Sequence, residues 1–244
     1  TRYCPGGGKD TLSPDQRRMT LIDTHAHIYY EDYTECLDEV IQAAAENGVE
    51  KIITVGVDLL SSEECVKLAE KYSIVFATCG YHPHEAGKAP KGYLYELEQF
   101  YKHPKVVAVG EIGLDYHYNF SDSKIQNRAY REQLEMAKAL ELPAVVHCRE
   151  SDDDILNGIQ EAGSSSGVIH CFASNVEFAN AILDTGFHIS FTGMITFVKD
   201  LEEAVRELPL DKMMVETDSP YLSPKPHRGK QNQPANVLYV AEKI

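Results

Sequence analysis

The sequence predicts a single α/β domain folded as a TIM (β/α)8 barrel. Eight apolar, strand-like runs alternate with about eight segments of helical period between Leu21 and the end of the chain. Strict alternation of this kind implies parallel pairing with right-handed crossovers, and eight units favour closure into a barrel. The length of 244 residues fits one such barrel.

The predicted strands are short, and several are almost continuous Val and Ile runs, which is typical of strands buried on both faces. Turn residues or polar segments bound each run. The eight predicted strands are Leu21–His27, Lys51–Gly56, Ile74–Gly80, Val106–Gly113, Pro143–His147, Gly167–Phe172, His188–Thr192 and Met213–Thr217.

The segments between the strands have the spacing of amphipathic helices. Apolar residues at i, i+3, i+4 and i+7 begin at Leu37, and Gly48 follows as a stop signal. Further helix starts are predicted from capping patterns and from Pro234, which suits a first helical position. The capping patterns are Ser61-x-x-Glu64, Ser151-x-x-Asp154 and Ser174-x-x-Glu177.

The alternative architecture is a doubly wound open sheet. No GxGxxG follows the first strand, which disfavours that sheet and a dinucleotide-dependent enzyme. We expect residues 19–244 to form one hydrolase barrel. Residues 1–18 carry Pro5-Gly6-Gly7-Gly8 without apolar periodicity, so we expect a flexible leader or an added segment.

Composition excludes several functional classes. The formal charge of −15 disfavours a protein that coats nucleic acid by charge, although metal ions in a local site still permit a nuclease. The sequence has no apolar run of about 18 residues, so it predicts no membrane span.

The cysteines indicate a reducing environment. Six cysteines without a CxxC pair, together with the lack of a secretory signal, favour reduced thiols in a cytoplasmic protein. No segment indicates an obligate protein partner.

Metal-capable side chains lie at the carboxyl ends of five predicted strands, where barrel enzymes place catalytic groups. His25 and His27 share one face of the first strand because the side-chain period of a strand is two. Four imidazoles and two carboxylates at one mouth favour metal over a hydrogen-bonded network. Six ligands, one of them a shareable carboxylate, suit two ions better than one. These ligands are His25, His27, Glu111, His147, His170 and Asp218.

The same segments resemble the TatD family of metal-dependent deoxyribonucleases. Five motifs occur in the family's order between Leu21 and Asn236, and Arg228-Gly229-Lys230 resembles its closing motif. The five motifs are Asp23-Thr24-His25-Ala26-His27, Gly110-Glu111-Ile112-Gly113-Leu114-Asp115-Tyr116, Val146-His147-Cys148-Arg149, Val168-Ile169-His170-Cys171-Phe172 and Glu216-Thr217-Asp218-Ser219-Pro220-Tyr221-Leu222. The resemblance implies a TIM barrel of the amidohydrolase superfamily that hydrolyses phosphodiester bonds with divalent metal.

The resemblance also implies roles for individual residues. It assigns His25, His27, Glu111 and Asp218 to one metal, and it assigns His147 and His170 to a second that Glu111 bridges. Asp218 is our candidate to orient the attacking water and accept its proton. The family implies Mg²⁺ or Mn²⁺ in activity, whereas imidazole-rich ligands favour Zn²⁺ or another transition ion in the purified protein.

Residues near these ligands supply candidates for substrate binding and for support. We expect Arg228, Arg149 and His82 to contact the substrate. We expect Asp23 and Glu216 to accept hydrogen bonds from ligand imidazoles, with a similar part for Asp115. The remaining histidines are predicted to have no role in the site. They are His84, His103, His117, His188 and His227.

The predicted function is hydrolysis of DNA phosphodiester bonds, most simply as an exonuclease on single-stranded or short substrates. The rival is an amidohydrolase or D-aminoacyl-tRNA deacylase activity on the same metal centre. Many amidohydrolases bridge their metals with a modified Lys, whereas Glu111 occupies the fourth strand here, which favours the nuclease. A catalytically silent interaction protein is disfavoured because none of the six ligands is missing.

Overall fold

The computed structural model describes residues 20–118 and 120–244. The predicted leader, residues 1–18, lies outside the described residues. Eight strands form one sheet in the order β1 to β8, and every neighbouring pair is parallel. The strands are β1 Leu21–Ala26, β2 Val49–Val55, β3 Val75–Cys79, β4 Val106–Asp115, β5 Ala144–Arg149, β6 Gly167–Ile169, β7 His188–Phe191 and β8 Met213–Val215.

The sheet closes on itself between its first and last strands. A parallel bridge joins Ala26 to Ser219, and the amide of Asp218 donates to the carbonyl of His25 at 2.9 Å. The amide of His27 donates to the carbonyl of Ser219 at 2.8 Å. These contacts confirm the predicted TIM barrel and place the ends of β1 and β8 side by side.

Eight α-helices follow the strands along the described chain. Each buries an apolar face against the outer surface of the barrel, where two large clusters of Val, Ile, Leu and aromatic side chains form the core. The helices are α1 Leu37–Glu46, α2 Leu59–Lys71, α3 Tyr93–Phe100, α4 Ser123–Ala139, α5 Asp152–Ala162, α6 Val176–Asp184, α7 Leu201–Glu207 and α8 Val237–Lys243. None of the helices that the structure describes is long and apolar enough to span a membrane.

Two predicted helix starts are wrong. Asp58 caps α2, and its carboxylate accepts the amide of Ser61, so Ser61 lies inside the first turn. Asn175 caps α6 by accepting the amide of Phe178, in place of Ser174. In both cases a capping side chain of similar strength stands within three residues of the predicted one. Pro234 begins a 3₁₀ turn that leads directly into α8.

A small inner layer fills the barrel beneath its mouth. Ala108, Val145 and Val168 form a separate buried cluster from β4, β5 and β6, with Met214 of β8 packed against it. Because side chains alternate along a strand, residues two positions after Val145 and Val168 face the same interior. Those residues are His147 and His170, which lie nearer the carboxyl end.

Candidate metal centre

The barrel brings all six predicted metal ligands to one end. His25 and His147 lie within β1 and β5, and His27 directly follows β1. His170 lies one residue beyond β6, and Asp218 lies three residues beyond β8, because both strands end earlier than predicted. Glu111 lies inside β4, whose pairing with β5 continues to Asp115.

An irregularity in β4 turns Glu111 into the barrel. Ala108 faces the interior, whereas Ile112 and Leu114 pack in the outer core. Strict alternation from Ala108 would point position 111 outward, but the β4–β5 register shifts between Val109 and Ile112. The shift reverses the alternation, so Glu111 and later Asp115 join the interior.

One set of donor atoms lies around the ends of β1 and β8. The Nε2 atoms of His25 and His27 are 3.3 Å apart, and both face Oδ1 of Asp218, at 3.8 and 3.5 Å. Glu111 Oε2 completes the set at 3.4 Å from His25 Nε2 and 3.8 Å from His27 Nε2. Two imidazoles and two carboxylates therefore point their donor atoms at one volume.

A second set lies on the other side of Glu111. Its Oε1 atom is 2.7 Å from His170 Nε2 and 3.1 Å from His147 Nδ1, and these two nitrogens are 3.3 Å apart. His82 Nε2 approaches the same oxygen at 3.3 Å. The carboxylate of Glu111 thus gives one oxygen to each set, which is the arrangement of a bridging ligand.

The ring orientations prepare the imidazoles for metal binding. His27 Nδ1 lies 3.0 Å from the Val55 carbonyl, and His147 Nε2 lies 3.1 Å from Asp115 Oδ2. These acceptors hold the ring N–H, so the other nitrogen of each ring offers its lone pair to the cluster. His170 Nδ1 faces Glu216 Oε1 at 3.4 Å, without the geometry of a hydrogen bond.

The spacing of the donors also suits metal. Ligands about 2.0–2.2 Å from a tetrahedral ion lie roughly 3.3–3.6 Å apart. The first set spans 3.3–3.8 Å and the second spans 2.7–3.3 Å, so small adjustments suffice. Opposed lone pairs of nitrogen and oxygen in a buried cluster require a proton or a cation between them.

The pKa shifts within the cluster also show that its donor atoms need a proton or a cation between them. Burial alone would raise the pKa of Glu111, but neighbouring His170, His82 and His25 bring it well below its usual range. Burial opposes the charged form of His170, yet Glu111 raises the pKa of that imidazole well above normal. The carboxylate is therefore ionised, and the cluster favours positive charge beside it.

Several non-glycine residues that line the mouth have left-handed backbone, among them Asp218 and Cys171. Asp218 has φ of 54° and Cys171 has φ of 48°, and neither is glycine. Non-glycine residues in this region carry a conformational cost that the surrounding structure must offset, and such residues cluster at functional sites. The strained turn after β8 points Asp218 back towards His25 and His27.

Comparisons with known proteins show the family to which this chain belongs. The family model described as "TatD related DNase" matches residues 22–244. The chain belongs to the TatD family. A relative from Bacillus subtilis, the uncharacterized metal-dependent hydrolase YabD, is 39% identical over 228 residues that cover 92% of this chain and 89% of the relative. The metal-dependent hydrolase YcfH of Escherichia coli is 38% identical over 92% of this chain and 86% of its own length.

Solved TatD-family structures share the barrel. The TatD homologue YJJV from Escherichia coli superposes with a TM-score of 0.87 at 30% identity, covering 93% of this chain and 89% of that one. A TatD-family hydrolase from Entamoeba histolytica has a TM-score of 0.84 at 29% identity, with 92% and 90% covered. This chain is accordingly a TatD-family metal-dependent hydrolase with His, Glu and Asp clusters suited to metal.

Two residues near the ligands of this TatD-family protein make contacts that the sequence analysis did not predict. Asp23 bonds the amide and hydroxyl of Thr217 at 2.8 and 2.6 Å, so the predicted contact with an imidazole is wrong. Its carboxylate instead ties β1 to the segment after β8. His82 accepts the amide of His84 through Nδ1, so its Nε2–H faces Glu111. Burial lowers the pKa of His82 to about 4, which keeps the ring neutral.

The two predicted arginines lie in different surroundings. Arg149 lines the cleft above the metal centre, with its guanidinium 4.6 Å from the ring centre of Tyr118. Arg228 is not among the described residues that line that cleft, and its guanidinium packs 3.9 Å from the ring centre of Phe197, so its contact with substrate stays a prediction. The loop after β8 turns Arg228 onto this apolar surface.

The sequence analysis missed His84, which belongs to the site. Its Nε2 lies 2.8 Å from Asp115 Oδ2, the oxygen that also faces His147. His84 follows Pro83 in a loop, where strand periodicity gives no information about direction. The pattern Tyr81-His82-Pro83-His84 directly after β3 was the one available signal.

Proposed function

We propose that this protein is a metal-dependent exonuclease that hydrolyses phosphodiester bonds of single-stranded or short DNA with two divalent ions. The position of Glu111 is the main support for the proposal, because each of its two carboxylate oxygens belongs to a different donor set. A cleft of about 720 Å³ opens above both sets and is large enough for a nucleotide.

The two donor sets divide the ligands between the ions. His25, His27 and Asp218 would hold one ion, and His147 and His170 would hold the other, with Glu111 between the two sets. Bound divalent ions would supply Lewis acidity and would lower the pKa of a bound water. We propose Mg²⁺ or Mn²⁺ as the metals that support activity, although imidazole ligands also favour Zn²⁺.

Asp218 is the proposed general base. Its carboxylate lies at the floor of the cleft, partly exposed, and its Oδ1 also faces His27. Burial raises the pKa of Asp218, but the neighbouring imidazoles of His27, His25 and His170 together lower it below normal. The ionised carboxylate orients the attacking water, and the proton passes to a carboxylate oxygen.

Charge in the cleft favours a flexible, unpaired substrate. Arg149 is the one Lys or Arg among the described residues that line the cleft, and the chain carries a net charge of −15. Long duplexes need many cationic contacts with phosphate, whereas one arginine suits a single phosphodiester. The relative from Salmonella typhimurium named "3'-5' ssDNA/RNA exonuclease TatD", 30% identical over 92% of this chain and 90% of its own length, supports the same substrate class.

The proposal is tested by release of nucleotides from a labelled single-stranded oligonucleotide as Mg²⁺ or Mn²⁺ is added to chelator-treated protein. We expect progressive shortening from one end that depends on metal and that a duplex of equal length resists. Hydrolysis of a D-aminoacyl-tRNA ester without cleavage of DNA would overturn the proposal in favour of a deacylase. A Glu111→Gln variant serves as the inactive control.

A further inference from the structure

Two aromatic side chains from the loop that follows β4 are exposed at the rim of the cleft. Phe120 is 68% exposed and Tyr118 is 48% exposed, although both are large apolar side chains. Their rings are nearly parallel, with an interplanar angle of 1° and centroids 5.5 Å apart. Exposed aromatic pairs of this kind mark binding surfaces, since burial would otherwise stabilise them.

Polar neighbours connect this pair to the cleft. Arg149 lies over the Tyr118 ring, and His84 meets Phe120 edge-on with centroids 4.8 Å apart. Tyr118, His84 and Arg149 all line the cleft above Glu111. The aromatic pair therefore continues the wall of the cleft to its rim.

Asp115 fixes the position of the pair relative to the metal ligands. Its Oδ1 accepts the amides of His117 and Tyr118, at 3.0 and 2.9 Å, and its Oδ2 faces His147. One buried carboxylate thus holds both the start of the aromatic loop and a ligand imidazole. A group stacked on the pair would keep a constant distance from the reacting phosphodiester.

The few cationic side chains of the cleft favour stacking as a further source of affinity. Arg149 is the one Lys or Arg in the described lining, and Glu85, Glu111, Asp115 and Asp218 lie in the same wall. Beyond the phosphodiester at the metal ions, the phosphates of the substrate find one cationic side chain in this lining, so they supply little further binding free energy. Stacking on aromatic rings can, because every base has a π-face, and it requires unpaired bases.

We propose that Tyr118 and Phe120, with Arg149, form a stacking subsite for an unpaired nucleobase next to the metal centre. The inference rests on the proposed nuclease function and adds the residues that select single strands. Arg149 pairs with the phosphate of the stacked nucleotide, and the aromatic pair holds its base without reading the sequence.

A fluorescent base tests the subsite directly. A short single-stranded DNA with phosphorothioate linkages, which slow hydrolysis, carries 2-aminopurine, whose emission falls when it stacks on an aromatic ring. The chain has no Trp that would interfere with this signal. The metal-loaded protein is titrated with this DNA and with an abasic analogue of equal phosphate number. Phe120→Ala, Phe120→Tyr and the control Tyr95→Ala, which removes an equally exposed ring on α3, are compared with wild type.

We expect wild type to quench the probe and to bind it roughly 5- to 100-fold more tightly than Phe120→Ala does. Phe120→Tyr and Tyr95→Ala should behave as wild type, and the abasic DNA should bind wild type and Phe120→Ala equally. Equal binding of the probe by wild type and Phe120→Ala would overturn the subsite, and so would absence of quenching in wild type. If the protein quenches the probe but cleaves no DNA, the proposed nuclease function is wrong and the proposed stacking subsite is still supported.

Discussion

Asp115 Oδ2 lies 3.1 Å from Nε2 of His147, while Nδ1 of the same ring lies 3.1 Å from Glu111 Oε1. Burial raises the pKa of Asp115, but hydrogen bonds from His147 and the Tyr118 amide bring it well below normal, so the carboxylate is ionised. The N–H of His147 therefore points at Asp115, and its lone pair points at the second donor set.

Asp115→Asn should weaken the second metal site and spare the first. Oδ1 must remain an oxygen to accept the amides of His117 and Tyr118. The new NH₂ then faces His147 Nε2 and shifts the ring proton to Nδ1, where metal must bind. Affinity for one of two Mn²⁺ ions should fall about 10- to 100-fold by titration calorimetry. Asp184→Asn, at the exposed end of α6, is the control, and unchanged affinity at both sites would refute the assignment.

Asp218→Asn should keep most of the bound metal and lose activity by about 10²- to 10⁴-fold, because the amide cannot accept a proton. Metal content by elemental analysis and the initial rate of single-stranded DNA hydrolysis measure the two effects separately. Asp211→Asn, on the surface between α7 and β8, should leave both unchanged. A variant with near-full activity would remove Asp218 from the mechanism.

Thr217→Val should destabilise the barrel at its closure. The hydroxyl of Thr217 donates to Asp23 Oδ2 at 2.6 Å in a fully buried contact, and the substitution leaves that oxygen without its donor. The free energy of unfolding in urea should fall by about 1–3 kcal/mol. The exposed substitution Thr34→Val should change it by far less. A stability equal to wild type would show that Asp23 is satisfied in another way.

Stability should decline above about pH 9. Burial raises the pKa of the Cys79 thiol to about 12, and Cys65 and Tyr130 shift upward for the same reason. A group whose folded pKa is raised stabilises the fold fully below its unfolded pKa, about 8.5 for Cys, and loses that contribution as pH rises towards the folded value.

Removal of one such thiol tests the cause. In Cys79→Ala, the decline of the unfolding free energy between about pH 9 and 12 should be shallower by about 1.4 kcal/mol per pH unit. Urea unfolding of chelator-treated protein across this range measures the difference. Identical slopes in the variant and wild type would contradict the burial argument.

The sequence predicted the barrel and the position of its six metal-capable residues because strand periodicity and chain order determine both. His147 and His170 face inward two residues after Val145 and Val168, as alternation requires. Glu111 faces inward only through the irregularity in β4, which no local pattern revealed; the acidic residue itself was the signal.

Loop residues were predicted less well, because tertiary contacts set their direction. Arg228 and Phe197 are 31 positions apart, and the guanidinium of Arg228 packs on the Phe197 ring and not among the residues that line the cleft. His84 and the aromatic pair Tyr118 and Phe120 meet at the rim through Asp115, from loops after two different strands. Neither the spacing of residues in the sequence nor their secondary-structure propensity predicts these contacts.

Anomalous diffraction from a Mn²⁺-soaked crystal of the wild-type protein tests the central claim most directly. Two peaks should appear at the mouth of the barrel, one beside each oxygen of Glu111. The first should contact His25, His27 and Asp218, and the second should contact His147 and His170. A single peak, or two peaks that do not share Glu111, would contradict the bridged centre.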